Sequence, residues 1–350
     1  MKVLLTGSAG FVGGAVAQAL EARGDDVVRV DLLIPEAHAP GTTAADTHLV
    51  DVRDLRALRP LLDGVDVVCH QSAMVGAGVT VADLPSYASH NDLGTAVLLA
   101  AMHEAGVRRV VAASSMVVYG EGRYVCEEHG DQAPPPRSVA ALEGGDFENH
   151  CGACGRPLAW ATVDEDARLD PRSSYAASKV ATEHYLAAWV RQAPGAAVAL
   201  RYHNVYGPRM PRDTPYSGVA AMFRSSIEQG SPPNVYEDGG QMRDFVHVHD
   251  VARANLLAMD QVVAAPDETF TTYNVASGEP VPIRRVAELV AAGVSASTGR
   301  DLAPEVSGRY RLGDVRHIVA SAEKARDRLG FTARIRPEQG LQAFATAPLR

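Results

Sequence analysis

Three things are scarce in this chain: positive charge, cysteine and long apolar runs. Lys and Arg total 33 against 42 Asp and Glu, a formal charge of −9. That balance argues against broad binding to nucleic acid or anionic membrane, although local arginines can still hold a phosphate. No apolar run reaches the roughly 18 residues of a membrane span. The N-terminal Met-Lys-Val-Leu-Leu is too short for a signal peptide and reads as a strand. The chain is therefore expected to be soluble and cytoplasmic, with neither nucleic acid nor membrane as partner. No internal repeat is visible. There are four cysteines in 350 residues, and Cys126, Cys151 and Cys154 crowd into one stretch. A cytoplasmic setting disfavours disulfides, so their clustering calls for another explanation.

The N-terminus carries the first positive signal. Lys2 to Leu5 is a short apolar strand, and Gly7, Gly10 and Gly13 follow at three-residue spacing. A helical pattern runs from about residue 11 to 23, and a second strand from Asp26 ends at Asp31. Strand, glycine loop, helix, strand and acid in this order make a dinucleotide site. Glycine lets backbone approach a pyrophosphate, whose charge a helix N-terminus favours. Asp31 is placed to accept hydrogen bonds from a ribose hydroxyl. Gly7, Gly10, Phe11, Val12, Gly13 and Asp31 are thus the candidate cofactor residues.

A second apolar run, 108–114, ends in Ser114 and Ser115, as a buried parallel strand does at its C-terminal edge, where ligands of open α/β sheets bind. A third segment, Ser-Ser-Tyr-Ala-Ala-Ser-Lys, has no Gly or Pro until Pro194 and reads as a helix over 175–193. Residues four apart share a helix face, so Lys179 lies beside Tyr175. A neighbouring cation is expected to favour the phenolate and lower the tyrosine's pKa toward the range useful for acid–base catalysis.

These three segments together resemble the extended short-chain dehydrogenase/reductase family, in its nucleotide-sugar branch. The resemblance continues through Arg201–Pro208, Arg243–Asp250 and Arg311–Asp314. It implies an α/β, Rossmann-type doubly wound parallel sheet over residues 1–204 and a smaller, partly interleaved substrate-binding lobe over 205–350. Strands are expected at 2–5, 26–31, 47–50, 65–70, 108–114 and 196–202. Helices are expected at 11–23, 53–62, 90–105 and 175–193, then near 217–229, 249–259 and 282–297. The resemblance also implies NAD as cofactor and catalysis by Ser115, Tyr175 and Lys179, the last two also touching the cofactor. It puts Asp51 and Val52 near adenine and Asn91 near the cofactor. Ser115, Met116, Asn204, Arg243 and Arg311 would hold the sugar nucleotide, the arginines beside its pyrophosphate. Relatives form homodimers through a four-helix bundle, here built from 90–105 and the Tyr175 helix, with Ala96, Leu99 and Ala100 allowing close approach.

Residues 121–163 form an insertion. Cys126-Glu-Glu-His129 and Cys151-Gly-Ala-Cys154-Gly are two ligand pairs, each separated by two residues, as in a zinc ribbon. A Cys3His set leaves no open position, so the zinc would be structural. His150 is an alternative ligand; a surface loop with free thiols or a Cys151–Cys154 disulfide are the other readings. Cys69 reads as a buried strand residue. His247, His249 and Asp250 invite a second metal reading, but the family segment has that shape without metal.

No acid follows Ser115, where Met116 and Val117 stand. Dehydratases and decarboxylases of the branch carry an acid there, so its absence favours an epimerase acting at C4. Similarity in 93–99, 114–122 and Asp213–Val219 is greatest to dTDP-L-rhamnose 4-epimerases, with UDP-glucose 4-epimerases next. The substrate would be a dTDP- or UDP-hexose. A 4,6-dehydratase, a 4-ketoreductase and a non-catalytic sugar-nucleotide sensor are the alternatives.

Overall fold

A computed structural model describes residues 1–34, 38, 46–76, 80–212, 218–299 and 302–350. The similarity motif at 213–219 falls mostly on 213–217, outside the described residues.

Seven parallel strands make the main sheet: β1 (Lys2–Thr6), β2 (Asp26–Asp31), β3 (Thr47–Leu49), β4 (Val67–His70), β5 (Arg109–Ser115), β6 (Ala196–Tyr202) and β7 (Thr269–Val275). Their order is β7-β6-β5-β4-β1-β2-β3. The order reverses between β1 and β4, which is where ligands settle in such sheets. The helices of eight or more residues are α1 (Phe11–Arg23), α2 (Gly94–Ala105), α3 (Ser174–Gln192), α4 (Val219–Glu228), α5 (Val248–Ala264), α6 (Ile283–Thr298) and α7 (Pro337–Phe344).

One core lies between the sheet and α1 and α5, where Val16, Leu20, Ala254 and Met259 are fully buried. On the other face α2 and α3 contribute Leu98, Met102 and Leu186 against Leu4, Val68 and Val110. Each such side chain contributes roughly 1.5–3 kcal/mol. A third core joins α4, α6 and α7 around Tyr206 and Phe245 and forms the smaller lobe. The strand β7 was not expected from the sequence. It comes from the C-terminal half, pairs along its whole length with β6, and lies in the chain between α4 and α6 of the lobe.

Two helices differ from expectation. Pro60 allows only a four-residue α turn, Leu55–Leu58, followed by a 3-10 turn at Arg59–Leu62. The segment 88–93 is a wide π turn, and regular helix begins at Gly94. Leu99 is buried in the core, not on the surface that a dimer contact through it would require.

The insertion is a small unit. Strands Arg123–Cys126, Gly130–Gln132 and Ala159–Ala161 form a three-stranded antiparallel sheet, with a short helix at Val139–Glu143 between the last two in sequence. Tyr124, Cys126, Cys151 and Leu158 make its own small core.

Candidate active site and metal centre

The glycine loop is shaped by steric exclusion. Gly7 has φ +67°, and a Cβ there would sit 2.7 Å from the Ser72 nitrogen. A Cβ on Gly13 would sit 1.9 Å from the Gly7 carbonyl oxygen. Gly10 precedes α1 with no side-chain cap, and the first turn of α1 carries no acid. Its N–H groups and positive dipole end are therefore available to an anion. At the tip of β2, the Asp31 carboxylate accepts hydrogen bonds from the Ala9 and Leu33 backbone N–H groups, at 3.0 and 2.9 Å.

A cavity of about 400 Å³ starts here. Gly7, Gly10, Phe11, Val12, Gly13, Asp31, Asp51 and Val52 line one end, and Ser115, Met116 and Asn204 line the other. Among the described residues its only lining acids are Asp31 and Asp51, both at the glycine-loop end. Asp51 is chelated by Arg53, whose hydrogen bonds hold its carboxyl below the usual carboxylate range. Asn91 is buried outside the cavity lining. Its amide bridges Met74, a lining residue, to the Ser178 hydroxyl of α3. It locks the cavity wall to the helix that carries Tyr175 and Lys179.

Ser115 ends β5, and Tyr175 lies in the first turn of α3, which Ser173 caps by accepting from the Ala176 N–H. The Ser115 hydroxyl accepts from the Val117 N–H at 3.4 Å and lies close enough to the Tyr175 hydroxyl to favour its ionised form. Lys179 sits 5.8 Å from the Tyr175 ring centroid and donates to the Ala113 carbonyl at 2.9 Å. The lysine was expected to lower the tyrosine's pKa. Instead, burial pushes Tyr175 up to about 12, with the Ser115 hydroxyl opposing. Burial also draws Lys179 down to about 8, with Glu183 opposing. Desolvation penalises both charged forms and is the largest effect on each.

Of the expected substrate residues, Arg243 and Arg311 do not line the cavity. Asn204 does reach it, and its Oδ1 is buried with no partner among the described residues. The Arg243 guanidinium instead donates to the carbonyls of Met242, Val315 and Arg316. Arg311 is exposed, stacks 5.2 Å from the Tyr236 ring centroid, and lines a separate cavity of about 500 Å³. The His247–Asp250 metal reading finds no support. His247 caps α5 by accepting from the His249 N–H, and Asp250 accepts from the Arg334 and Ile335 backbone N–H groups.

Sequence reasoning missed a buried ion pair behind the site. Glu183 and Arg201 meet at 2.7 Å with side chains 3% and 4% exposed. Glu183 also accepts from the Ser114 hydroxyl, and Arg201 donates to the Tyr119 hydroxyl and the Glu165 carbonyl. Glu183 stands one turn beyond Lys179 on α3, so helical spacing alone would have put it on the same face.

In the insertion, one donor atom from each of Cys126, His129, Cys151 and Cys154 lies within 4.8 Å of all the others. The Cys126 sulfur is 3.4 Å from His129 Nδ1 and 3.7 Å from the Cys154 sulfur, and Cys151 is 3.6 Å from His129 Nδ1. A tetrahedron with bonds of ~2.3 Å has edges of about 3.8 Å. Three soft sulfurs and an imidazole at this spacing suit a four-coordinate metal. His150 is not part of this cluster.

A family model described as the NAD dependent epimerase/dehydratase family matches residues 3–141 and 152–276. The chain belongs to this family. The break in the match, 142–151, falls inside the insertion and takes in Cys151. Within the family, the chain is 31% identical over 357 residues to the dTDP-L-rhamnose 4-epimerase of Burkholderia thailandensis, covering 99% of this chain and 94% of that relative. It is 29% identical to a UDP-glucose 4-epimerase of Streptomyces lividans, covering 94% of this chain and 91% of the relative. Among solved structures it resembles the Thermus thermophilus UDP-glucose 4-epimerase in complex with NAD, with TM-score 0.75, 30% identity and coverage of 99% and 98%. It also resembles MoeE5 in complex with UDP-glucuronic acid and NAD, with TM-score 0.74, 29% identity and coverage of 98% of each chain.

Proposed function

We propose that this chain is an NAD-dependent nucleotide-sugar 4-epimerase with dTDP-L-rhamnose as substrate and dTDP-6-deoxy-L-talose as product. The observation that carries this reading is the cavity itself. It runs from a glycine cradle to Ser115 and Asn204, and among the described residues no acid lines it at the Ser115 end. Such a site can exchange a proton and a hydride at one carbon but offers no carboxyl for eliminating water.

NAD, when bound, supplies the hydride acceptor and returns the hydride. Gly7, Gly10, Phe11, Val12 and Gly13 would cradle its pyrophosphate at the start of α1, with Asp31 on a ribose and Asp51 and Val52 by the adenine. The Ser115 hydroxyl holds the sugar O4 while Tyr175 takes its proton and later gives it back. Lys179, drawn down to about 8 by burial, holds positive charge beside Tyr175 in the neutral range and offsets the developing phenolate. Asn204 offers its unpartnered oxygen to the sugar nucleotide. Arg311, and Arg243 once freed from its carbonyls, would hold the diphosphate while the ketone turns to present its other face. In this reading residues 205–350 act mainly as the substrate lobe.

Zinc is the proposed occupant of the Cys126, His129, Cys151 and Cys154 cluster, with a structural role because four protein donors leave no open position. A homodimer through α2 and α3 is part of the same reading. Leu93, at the end of the π turn before α2, and Tyr185 of α3 are exposed, at 51% and 42%, and Ala100 and Ala188 are small exposed residues on the same two helices.

The deciding experiment incubates the protein with a panel of nucleotide sugars in D2O and follows products by NMR. Inversion at C4 with no deuterium on carbon is expected. Solvent deuterium at C3 or C5, or a 4-keto-6-deoxy product, would refute the C4 epimerase. Elemental analysis should find one zinc per chain, and light scattering a dimeric mass.

A further inference from the structure

We infer that the insertion positions the segment carrying Arg311, and that Glu148 is the residue through which it acts on nucleotide-sugar binding. This rests on the reading of Arg311 as a diphosphate anchor.

The segment 311–318 runs between the insertion and the lobe. Glu148, three residues before the ligand Cys151, grips two of its residues at once. Its Oε1 accepts from Arg316 Nε and Nη2, at 3.0 and 2.5 Å. Its Oε2 lies 3.0 Å from His317 Nε2. His317 Nδ1 accepts from the Met242 N–H at 3.0 Å, so Nε2 carries the hydrogen and donates it to Glu148. Burial works against the charge on Glu148, yet hydrogen bonds from His317 and Arg316 hold the carboxyl down at about 2. It is ionised throughout the neutral range.

Arg316, almost fully buried, passes the contact on. It pairs with Glu237 and Asp238 of the lobe at 2.9 and 2.7 Å. A second strut from the insertion runs beside it. Arg137 pairs with Glu237 at 2.9 Å and donates to the Asp314 carbonyl at 2.8 Å. The insertion also supplies Leu142 and Glu143 to the wall of the cavity that Arg309 and Arg311 line. Two of the three carbonyls that engage Arg243 belong to the same segment, those of Val315 and of the gripped Arg316.

The knuckle fixes Glu148 in turn. Leu158 donates its N–H to the Asn149 carbonyl at 2.8 Å, and Cys151 donates to the Arg156 carbonyl at 2.9 Å. A continuous set of contacts therefore joins the sulfur cluster to the Arg311 segment. An untethered insertion would need none of these buried charges. Their arrangement places the segment, and a shift of about 1 Å in a binding group is enough to weaken its contacts severely.

The test is Glu148→Gln in the full chain, which keeps the shape and removes the charge. Calorimetry with UDP and dTDP should show roughly tenfold weaker binding, with KM for the sugar nucleotide rising in parallel and kcat within roughly twofold of wild type. NAD affinity and metal content should not change. Hydrogen exchange should quicken at residues 309–317 and stay unchanged in β1–β7. Equal diphosphate affinity in variant and wild type overturns the inference and leaves the proposed function standing. Faster exchange throughout the sheet would mark a merely structural role and also overturn it. A wild-type protein that binds neither diphosphate refutes the functional reading, and this inference with it.

Discussion

Replacing Glu183 by glutamine removes one charge of a pair that water does not reach. Arg201 then keeps its full positive charge at 4% side-chain exposure, with the Tyr119 hydroxyl, the Glu165 carbonyl and the one neutral amide oxygen of the glutamine as partners and no counter-charge in the pair. Losing one member of such a pair costs about 3–5 kcal/mol, because the other is left buried and uncompensated. Unfolding entropy is about 2.1 cal/mol/K per residue, which for 350 residues is roughly 0.7 kcal/mol/K. The melting temperature should therefore fall by about 4–7 °C, read by calorimetry or circular dichroism. The double variant Glu183→Leu with Arg201→Met removes both charges, and it should recover most of the loss. Catalysis should suffer as well, since Glu183 holds Ser114 beside Ser115 and shares a helix face with Lys179. A single variant that melts within about 1 °C of wild type, well below the expected shift, would refute the reasoning. So would a double variant no better than the single.

Tyr175→Phe should lower kcat by a factor on the order of 10²–10⁴ while NAD affinity stays near wild type; wild-type turnover in steady-state assays would reject Tyr175 as the acid–base group. NAD should bind at least roughly tenfold more tightly than NADP, because Asp31 would face the extra phosphate, and equal affinities by calorimetry would overturn that. Acid should destabilise the fold through two histidines, His70 and His203, each drawn down by burial from 6.5 to about 3. Because the folded values lie below the unfolded one, the stabilisation is complete above pH ~6.5 and lost as pH falls toward 3, at about 1.4 kcal/mol per pH unit for each. Together they should account for a loss of about 4 kcal/mol between pH 7 and pH 5 in urea titrations, and His70→Gln should halve that share; an unchanged pH slope in the variant would count against it.

The parts of the fold legible in the sequence were those set by local rules. Apolar strands of four to seven residues, glycines at fixed spacing and alanine-rich helices each announce themselves over a short window, and the sheet from β1 to β6 follows from them. The strand β7 does not. Thr-Phe-Thr-Thr-Tyr-Asn-Val lies among the looser elements of the C-terminal half, and only its partner β6, far upstream, tells where it belongs. The same holds at the site. Gly7, Gly10, Gly13 and Asp31 converge because one local turn brings them together. The fate of Arg243 was illegible, because carbonyls more than seventy residues away engage its guanidinium. The tyrosine–lysine pair was read correctly as neighbours. Its electrostatics were not, because burial depends on everything packed around α3 and not on the three residues between them. The four residues of the cysteine–histidine cluster were legible as two pairs, since each knuckle is local. That the two pairs meet at one centre is a fact of the three-stranded insertion sheet.

The late position of β7 has a consequence for how the chain is made. β6, buried at every residue, has its outer edge covered only by β7. Roughly seventy residues separate the two strands, and at 5–20 residues per second a ribosome takes roughly 3–15 s to deliver them. For that interval the nascent chain presents an apolar, unpaired strand edge, a template for pairing with a neighbouring chain. The nascent polypeptide is most exposed to misassembly in the seconds before residue 275 clears the exit tunnel, and a shorter wait there would be expected to raise the yield of folded protein.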